Sequence, residues 1–69
     1  MTDSVYKIIE LVGTSSESWE KATANAVARA SSSLRDLRIA EVTKLDMTVA
    51  EGKITAYRAR VALSFKFED

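Results

Sequence analysis

Residues 53–67 read KITAYRARVALSFKF, and this stretch decides the fold because its side chains alternate in character along its whole length. The odd-numbered positions are mostly apolar and include Val61 and Leu63, whereas the even-numbered positions include the basic residues Arg58 and Arg60. A period of two is typical of a β-strand with one buried face. The stretch therefore predicts a long strand from Lys53 to Phe67 that needs a cover on its apolar side.

The residues before this strand predict a hairpin partner and a first strand. LRIAEVTKLDMTV, residues 37–49, reads as a second strand, and Ala50, Glu51 and Gly52 then form a turn because Gly52 is free to adopt a positive φ. VYKIIELV, residues 5–12, also alternates, and Gly13 is expected to end that strand. Three strands are therefore predicted, two of them in one long hairpin.

A helix is predicted between the first and second strands, from about Glu17 to about Leu34. Thr14 and Glu17 have the spacing of a capping box, and Ser15 and Ser16 are alternative caps. Apolar and small residues recur at intervals of three and four and form one stripe: Trp19, Ala22, Thr23, Ala26, Val27, Ala30 and Leu34. Because the stripe is rich in Ala, the helix can approach the sheet closely.

The order of elements is β-α-β-β, an α+β fold with a three-stranded antiparallel sheet partly wrapped around one helix. One helix covers only one face of such a sheet, and the second and third strands exceed the usual length of about 3–10 residues. The chain has 69 residues and no Cys, so residues 1–69 are expected to form a single domain whose small core no disulfide supports. These features together predict an obligate oligomer.

The composition argues against several classes of function. The chain has neither Cys nor His, so it lacks thiol chemistry and the commonest general base and metal ligand. Its 10 basic and 10 acidic residues balance, which argues against nucleic-acid binding. No apolar run approaches the roughly 20 residues of a membrane span, and the N-terminus lacks the pattern of a signal peptide. Since Ser15 and Ser16 also have no His beside them, we expect a cytoplasmic protein that is not an enzyme and has neither nucleic acid nor membrane as partner.

Several stretches together resemble the dodecin family. They are VYKIIELVGTS at residues 5–15, AVARAS at residues 26–31, Ala40-Glu41-Val42, the segment around Tyr57, and LSFKFED at residues 63–69. The resemblance covers nearly the whole chain. It implies a hollow sphere of twelve copies, and such a homo-dodecamer supplies the partners that the uncovered sheet face and the long hairpin require.

The usual members of the family that this chain resembles bind two stacked flavins between a pair of Trp residues. The position of that Trp is Ile39 here, the position of a Gln that bonds the isoalloxazine edge is Arg58, and a position that can carry a basic residue in phosphate-binding members is Asp46. In these departures the chain is more similar to the calcium dodecins, a branch without the flavin Trp. Trp19 lies on the helix stripe instead, so it is expected to pack against the sheet or a neighbouring subunit.

Asp46 is the candidate metal ligand. A symmetric oligomer gathers one carboxylate from each of several chains, and backbone carbonyls add to the six to eight oxygens that Ca²⁺ requires. The alternative is an exposed Asp46 paired with a Lys or Arg across the hairpin. Glu41 lies five residues earlier, so strict alternation predicts that it points to the opposite face and forms a salt bridge with Arg58 or Arg60.

Arg58 and Arg60 share one face of the last strand and have two interpretations. They are able to hold a phosphate or carboxylate, or they form ion pairs between subunits with Glu10, Glu41 and Glu51. Taken with the resemblance, the sequence predicts a non-catalytic dodecameric cage that binds, stores or buffers a small ligand. The predicted ligand is a cation such as calcium, and the alternative is a flavin (FMN or riboflavin) in an altered pocket around Ile39 and Arg58.

Overall fold

The computed structural model describes residues 3–67, and within them the chain forms one helix and three strands. In chain order these are β1 (Tyr6–Ser15), α1 (Trp19–Ser31), β2 (Leu37–Ala50) and β3 (Lys53–Lys66). The strands form one antiparallel sheet in the order β1-β3-β2. This confirms the predicted α+β fold. The last strand is central and pairs on both edges, which explains why its alternation is the clearest pattern in the sequence.

The helix lies across β1 and β3 and buries a small core. Ala22, Ala26 and Ala30 face the sheet from the helix, and Ala59, Val61 and Leu63 face the helix from β3; all six are buried. Their positions confirm both the Ala-rich helix stripe and the odd-numbered face of β3. Five half-buried apolar residues surround this core: Ile9, Leu11, Val27, Leu34 and Leu37.

Gly13 does not end the first strand, as the sequence had predicted. The strand continues to Ser15, and Gly13 lies opposite Ala59 under the helix. A Cβ built on Gly13 would lie 2.0 Å from the carbonyl oxygen of Ala22 and 3.0 Å from the Cβ of Ala26. The glycine is therefore needed for the close approach of helix and strand, and not for a turn.

The helix is shorter at both ends than the predicted span of Glu17 to Leu34. Its N-cap is Ser18, whose Oγ accepts a hydrogen bond of 3.0 Å from the backbone N–H of Lys21. The predicted capping box of Thr14 and Glu17 is wrong because Thr14 still belongs to β1. At the other end the helix stops at Ser31, and Asp36 adopts a φ of 54° just before β2 begins.

The hairpin of β2 and β3 extends beyond the helix, as its length predicts. The described residues span 55 × 20 × 16 Å, whereas the helix has only 13 residues. Glu51 and Gly52 have φ values of 53° and 75° and form a tight turn with two left-handed residues, which confirms the predicted turn. Every residue of β2 after Leu37 is exposed, so this edge strand has almost no cover in the isolated chain. Among residues 3–67, no helix is long and apolar enough to cross a membrane.

Candidate functional site

The face of the sheet that turns away from the helix carries the candidate site, and we call it the open face. Because side chains alternate across a strand, the even-numbered residues of β3 that include Arg58 and Arg60 point to this face. Arg58 lies between Thr14 of β1 and Asp46 of β2, and Arg60 lies between Val12 and Lys44. The open face therefore brings charged side chains from two neighbouring strands together.

Asp46 and Arg58 form a bidentate ion pair on the open face. The guanidinium donates from Nε to Oδ1 and from Nη2 to Oδ2 of the carboxylate, each at 2.7 Å. Their side chains remain 53% and 41% exposed, respectively, so the pair lies in contact with solvent. The hydrogen bonds from Arg58 lower the pKa of Asp46, and the positive charges of Arg58, Arg60 and Lys44 lower it further. The same hydrogen bonds raise the pKa of Arg58.

The surroundings of this pair are more positive than the chain as a whole. A shallow hollow of about 20 Å³ is lined by Val12, Lys44, Asp46, Arg58 and Arg60. Three of these side chains are cationic and one is anionic, although the whole chain has zero net charge. Lys44 lies directly opposite Arg60 on the neighbouring strand, an arrangement in which like charges repel.

Glu41 does not face away from Asp46, as strict alternation had predicted. The pairing of β2 with β3 shifts by one residue between Val42 and Lys44, so β2 contains a bulge. Glu41 therefore lies opposite Ala62 and Asp46 opposite Arg58, and both point to the open face. Their partners are four residues apart, roughly 13 Å along a strand, so the two carboxylates still cannot share one ion within a chain. Of the two predicted partners of Glu41, Arg58 is held by Asp46 instead, and within residues 3–67 Arg60 forms no salt bridge with Glu41.

Ile39 and Arg58, the two positions of the predicted flavin pocket, are not neighbours within one chain. Ile39 lies opposite Ser64 and is 58% exposed. Ser64 and Arg58 are six residues apart on β3, which corresponds to roughly 20 Å. A pocket that used both positions would therefore need a second copy of the chain.

Trp19 contacts the sheet at the same position along β2, but on the face covered by the helix. Its ring packs edge-on against Tyr57, with centroids 5.1 Å apart and an interplanar angle of 69°. Its Nε1–H donates a 3.0 Å hydrogen bond to the backbone carbonyl of Asp46. The ring thus packs against the sheet, as the helix stripe predicts. The bond to Asp46 was missed because the two residues are 27 positions apart and no local pattern connects them.

The residues of one chain do not fit a calcium site. Within residues 3–67, no three His, Cys, Asp or Glu side chains lie close enough together to hold a metal ion. Ca²⁺ requires about six to eight oxygens, whereas both carboxylate oxygens of Asp46 already accept hydrogen bonds from Arg58. A calcium site that includes Asp46 would need oxygens from other copies and the displacement of Arg58.

A second concave region lies where the helix ends, and sequence reasoning missed it. This open cleft of about 480 Å³ is lined by Lys7, Ser33, Leu34, Arg35, Asp36, Phe65, Lys66 and Phe67. Its residues come from β1, the helix-to-strand connection and the end of β3, so only the folded topology brings them together.

The fold and the open face define a small α+β protein with one charged, exposed sheet face. The Dodecin family model matches residues 5–68, and the chain belongs to the dodecin family. It is 53% identical over 64 residues to the calcium dodecin of Mycobacterium tuberculosis. The alignment covers 91% of this chain and 89% of that relative. It is 40% identical over 65 residues to the dodecin of Thermus thermophilus, with 94% of each chain covered.

Solved structures agree with this assignment. The dodecin from Streptomyces coelicolor superposes with a TM-score of 0.93 at 35% identity and covers 100% of this chain and 99% of its own. The calcium dodecin from Mycobacterium tuberculosis, a calcium-chelating immunodominant antigen with a novel calcium-binding site, gives a TM-score of 0.83 at 50% identity. That superposition covers 94% of this chain and 93% of the antigen.

Proposed function

We propose that this chain assembles into a hollow homo-dodecamer that binds, stores or buffers a small ligand and catalyses no reaction. Membership of the dodecin family supports the assembly. The structure adds a physical reason, because an isolated chain exposes many large apolar side chains on the open face and along the hairpin. These include Ile8, Val12, Ile39, Leu45, Met47, Val49 and Ile54.

Native mass spectrometry tests the assembly. The expected result is one species with the mass of twelve chains of 7.6 kDa, together with any retained ligand. A folded monomer at micromolar concentration would contradict the proposal, because the exposed apolar surface would then have no partner.

We further propose that the ligand is a cation, with calcium as the first candidate. The observation that carries this proposal is the 53% identity to a calcium dodecin, and Ile39 in place of a flavin-stacking Trp agrees with it. Since one chain does not form a calcium site, the ligands would have to come from several copies around a symmetry axis. Asp46 is the candidate side chain for such a site.

A calcium titration of the assembled protein tests this proposal. Calcium that binds only the assembled state stabilises that state by about 2.7 kcal/mol at a hundredfold excess over Kd. The thermal midpoint should therefore rise when calcium is added. Asp46→Asn should reduce that increase, whereas Asp36→Asn, which removes the same charge elsewhere, should retain it. An increase that persists in Asp46→Asn would exclude Asp46 as a ligand, and a natural chain without any increase would refute calcium binding.

Flavin remains the alternative ligand, and two observations argue that its binding is weak. Ile39 offers no aromatic ring, and an aromatic pair contributes about 0.5–1.5 kcal/mol beyond burial. Arg58 is engaged by Asp46, so polar atoms at the flavin edge would lose partners at about 1–3 kcal/mol each. Because about 1.4 kcal/mol corresponds to a tenfold change, riboflavin and FMN should bind at least about a hundredfold more weakly than to Trp-bearing dodecins.

Quenching of flavin fluorescence measures this difference. The natural chain should show little quenching, whereas Ile39→Trp combined with Arg58→Gln should gain it. Sub-micromolar binding of FMN by the natural chain would establish the flavin alternative and contradict the argument from Ile39 and Arg58.

A further inference from the structure

The charges of the open face are arranged in rows that run across the three strands. Residues that lie directly opposite one another on neighbouring strands point to the same face of a sheet. Two adjacent rows are charged, each with one residue from β1, β3 and β2: the acidic row is Glu10, Ala62 and Glu41, and the basic row is Val12, Arg60 and Lys44. The rows are about 7 Å apart, because they are separated by two residues along each of β1 and β3.

The charges of these two rows have no partners of their own. In the part of the chain that the structure describes, none of the four charged side chains forms a salt bridge. The acidic row carries two negative charges and the basic row two positive charges, so a surface that presents both rows is complementary to a copy of itself. Ile8 and Ile39, which are 62% and 58% exposed in the isolated chain, extend this face with apolar surface for a partner to bury.

The order of the rows decides how two open faces fit together. A two-fold axis parallel to the strands would place each row against the same row of the other copy, so that Glu10 faces the partner's Glu41. Like charges that face each other across an interface are strongly unfavourable. A two-fold axis that runs across the strands, level with Val61, exchanges the rows instead. The acidic row of each copy then faces the basic row of the other, as a self-complementary two-fold interface requires.

We propose that the open faces of two copies bind each other about this second axis, and that the paired rows are what one copy recognises in another. Glu41 then faces the partner's Lys44, and the symmetry repeats this ion pair. Arg60 faces the partner's Ala62, whose small side chain leaves room for the guanidinium. The partner's Glu10 and Glu41 flank that space, with their Cα atoms about 10 Å apart, so Arg60 lies between two carboxylates that accept its hydrogen bonds.

This inference rests on the proposed assembly and goes beyond it, because it names the face, the axis and the residues that pair. It also accounts for the positive surplus around Arg60 and Lys44, since the partner supplies the missing carboxylates. Stacked sheets lie about 10 Å apart, so the rows lose contact with water, and each charge then needs an opposite charge beside it. The pair of Asp46 and Arg58 already meets this need within each chain.

Charge reversal in two separate variants tests the pairing. Glu41→Lys brings two cations face to face and Lys44→Glu brings two carboxylates face to face, so each variant alone should assemble at least about a hundredfold more weakly than the natural chain. An equal mixture of the two should regain the natural assembly, because the new cation of one variant then faces the new carboxylate of the other. Native mass spectrometry with one variant isotope-labelled should find equal numbers of both in each assembly.

Glu20→Lys and Lys21→Glu are the matched controls, since they make the same charge changes at exposed positions of the helix. Both should assemble alone as the natural chain does, and their mixture should combine at random. A second pair of variants decides the question if circular dichroism shows that a reversed variant does not fold. Ala62→Leu fills the space for the partner's Arg60 and should weaken the assembly, and Arg60→Ala added to it should restore much of the loss.

The inference is overturned if Glu41→Lys and Lys44→Glu each assemble as well as their controls. It is also overturned if both variants fold and their mixture regains no assembly, or if Ala62→Leu assembles as the natural chain does. These outcomes leave the proposed assembly intact, because the natural chain still forms its oligomer. A natural chain that stays monomeric would instead refute the proposed assembly itself.

Discussion

Replacement of Gly13 by Ala tests the closest contact in the fold. The added Cβ would lie 2.0 Å from the carbonyl oxygen of Ala22 and 3.0 Å from the Cβ of Ala26, whereas ordinary contact begins at 3.4 Å. The oxygen of Ala22 belongs to the helix backbone, so no side-chain rotation relieves the overlap. The helix must move away from β1, and this movement loosens its packing on Ala59, Val61 and Leu63.

The expected cost follows from that movement. Overpacking of a core costs about 1–3 kcal/mol, and a gap of 0.5–1 Å across a packed surface loses about a quarter to a half of its dispersion energy. We therefore expect Gly13→Ala to destabilise the chain by about 3 kcal/mol. A domain of this length has a total stability of about 3–10 kcal/mol, so the substitution removes a large share of it. The thermal midpoint should fall by about 10–20 °C.

Thermal unfolding followed by circular dichroism, at one fixed chain concentration because dissociation and unfolding are coupled, measures the effect. Gly52→Ala is the control, since nothing lies within 4 Å of its added Cβ and only its φ of 75° is unfavourable. That strain costs about 1–2 kcal/mol. Trp19 gives a second readout, because helix displacement should weaken its hydrogen bond to Asp46 and alter its fluorescence. If Gly13→Ala unfolds within a few degrees of the natural chain, the close helix–strand contact does not exist.

Three further predictions concern the helix start and the open face. Ser18→Ala removes the cap of Lys21 and should cost about 1 kcal/mol in chemical denaturation, whereas Ser16→Ala, at one of the predicted caps, should cost almost nothing. Trp19→Phe retains a ring beside Tyr57 but loses the 3.0 Å bond to Asp46, so it should cost about 1 kcal/mol; an unchanged denaturation midpoint would show that this bond contributes no net stability. Because the pKa of Asp46 is lowered from 3.8 in the folded chain, the pair stabilises the fold above that pH and ceases to do so as the pH falls through the lower folded value. Lowering the pH should therefore reduce the stability of the natural chain more than that of Asp46→Asn. Equal losses of stability in the two proteins would show that the ion pair does not stabilise the fold.

The sequence predicts the sheet and the helix stripe well because burial imposes a period on both. In β3 the odd-numbered residues must face the helix, and Ala59, Val61 and Leu63 do so. The ends of elements are less predictable, because several adjacent residues are competent to serve the same role. Three candidates for the helix cap stood in a row, Thr14, Ser15 and Ser16, and the cap is Ser18, since the strand extends past Gly13.

The candidate site was predicted by residue type and missed in its geometry, and the bulge in β2 is the physical reason. Asp46, Arg58 and Arg60 stood out as charged residues on predicted strands, but alternation alone places a residue on a face only while the pairing has no irregularity. One extra residue lies in β2 between Val42 and Lys44. Because side chains alternate, the β2 side chains before this residue point to the opposite face from the one that strict alternation with the later side chains would give. Without that residue, Glu41 and Asp46 would have pointed to opposite faces.

The charge surplus of the open face follows from the same bulge. With the pairing shifted, Lys44 and Asp46 stand opposite Arg60 and Arg58, so one strand pair concentrates three cations around a single carboxylate. Net charge, which is zero here, governs long-range attraction and solubility, whereas recognition depends on the charges within a few ångströms. A cation at Asp46 must compete with Arg58 and overcome the repulsion of Lys44 and Arg60. In a single chain, the open face therefore favours an anionic group, and any cation site requires the oxygens of other copies.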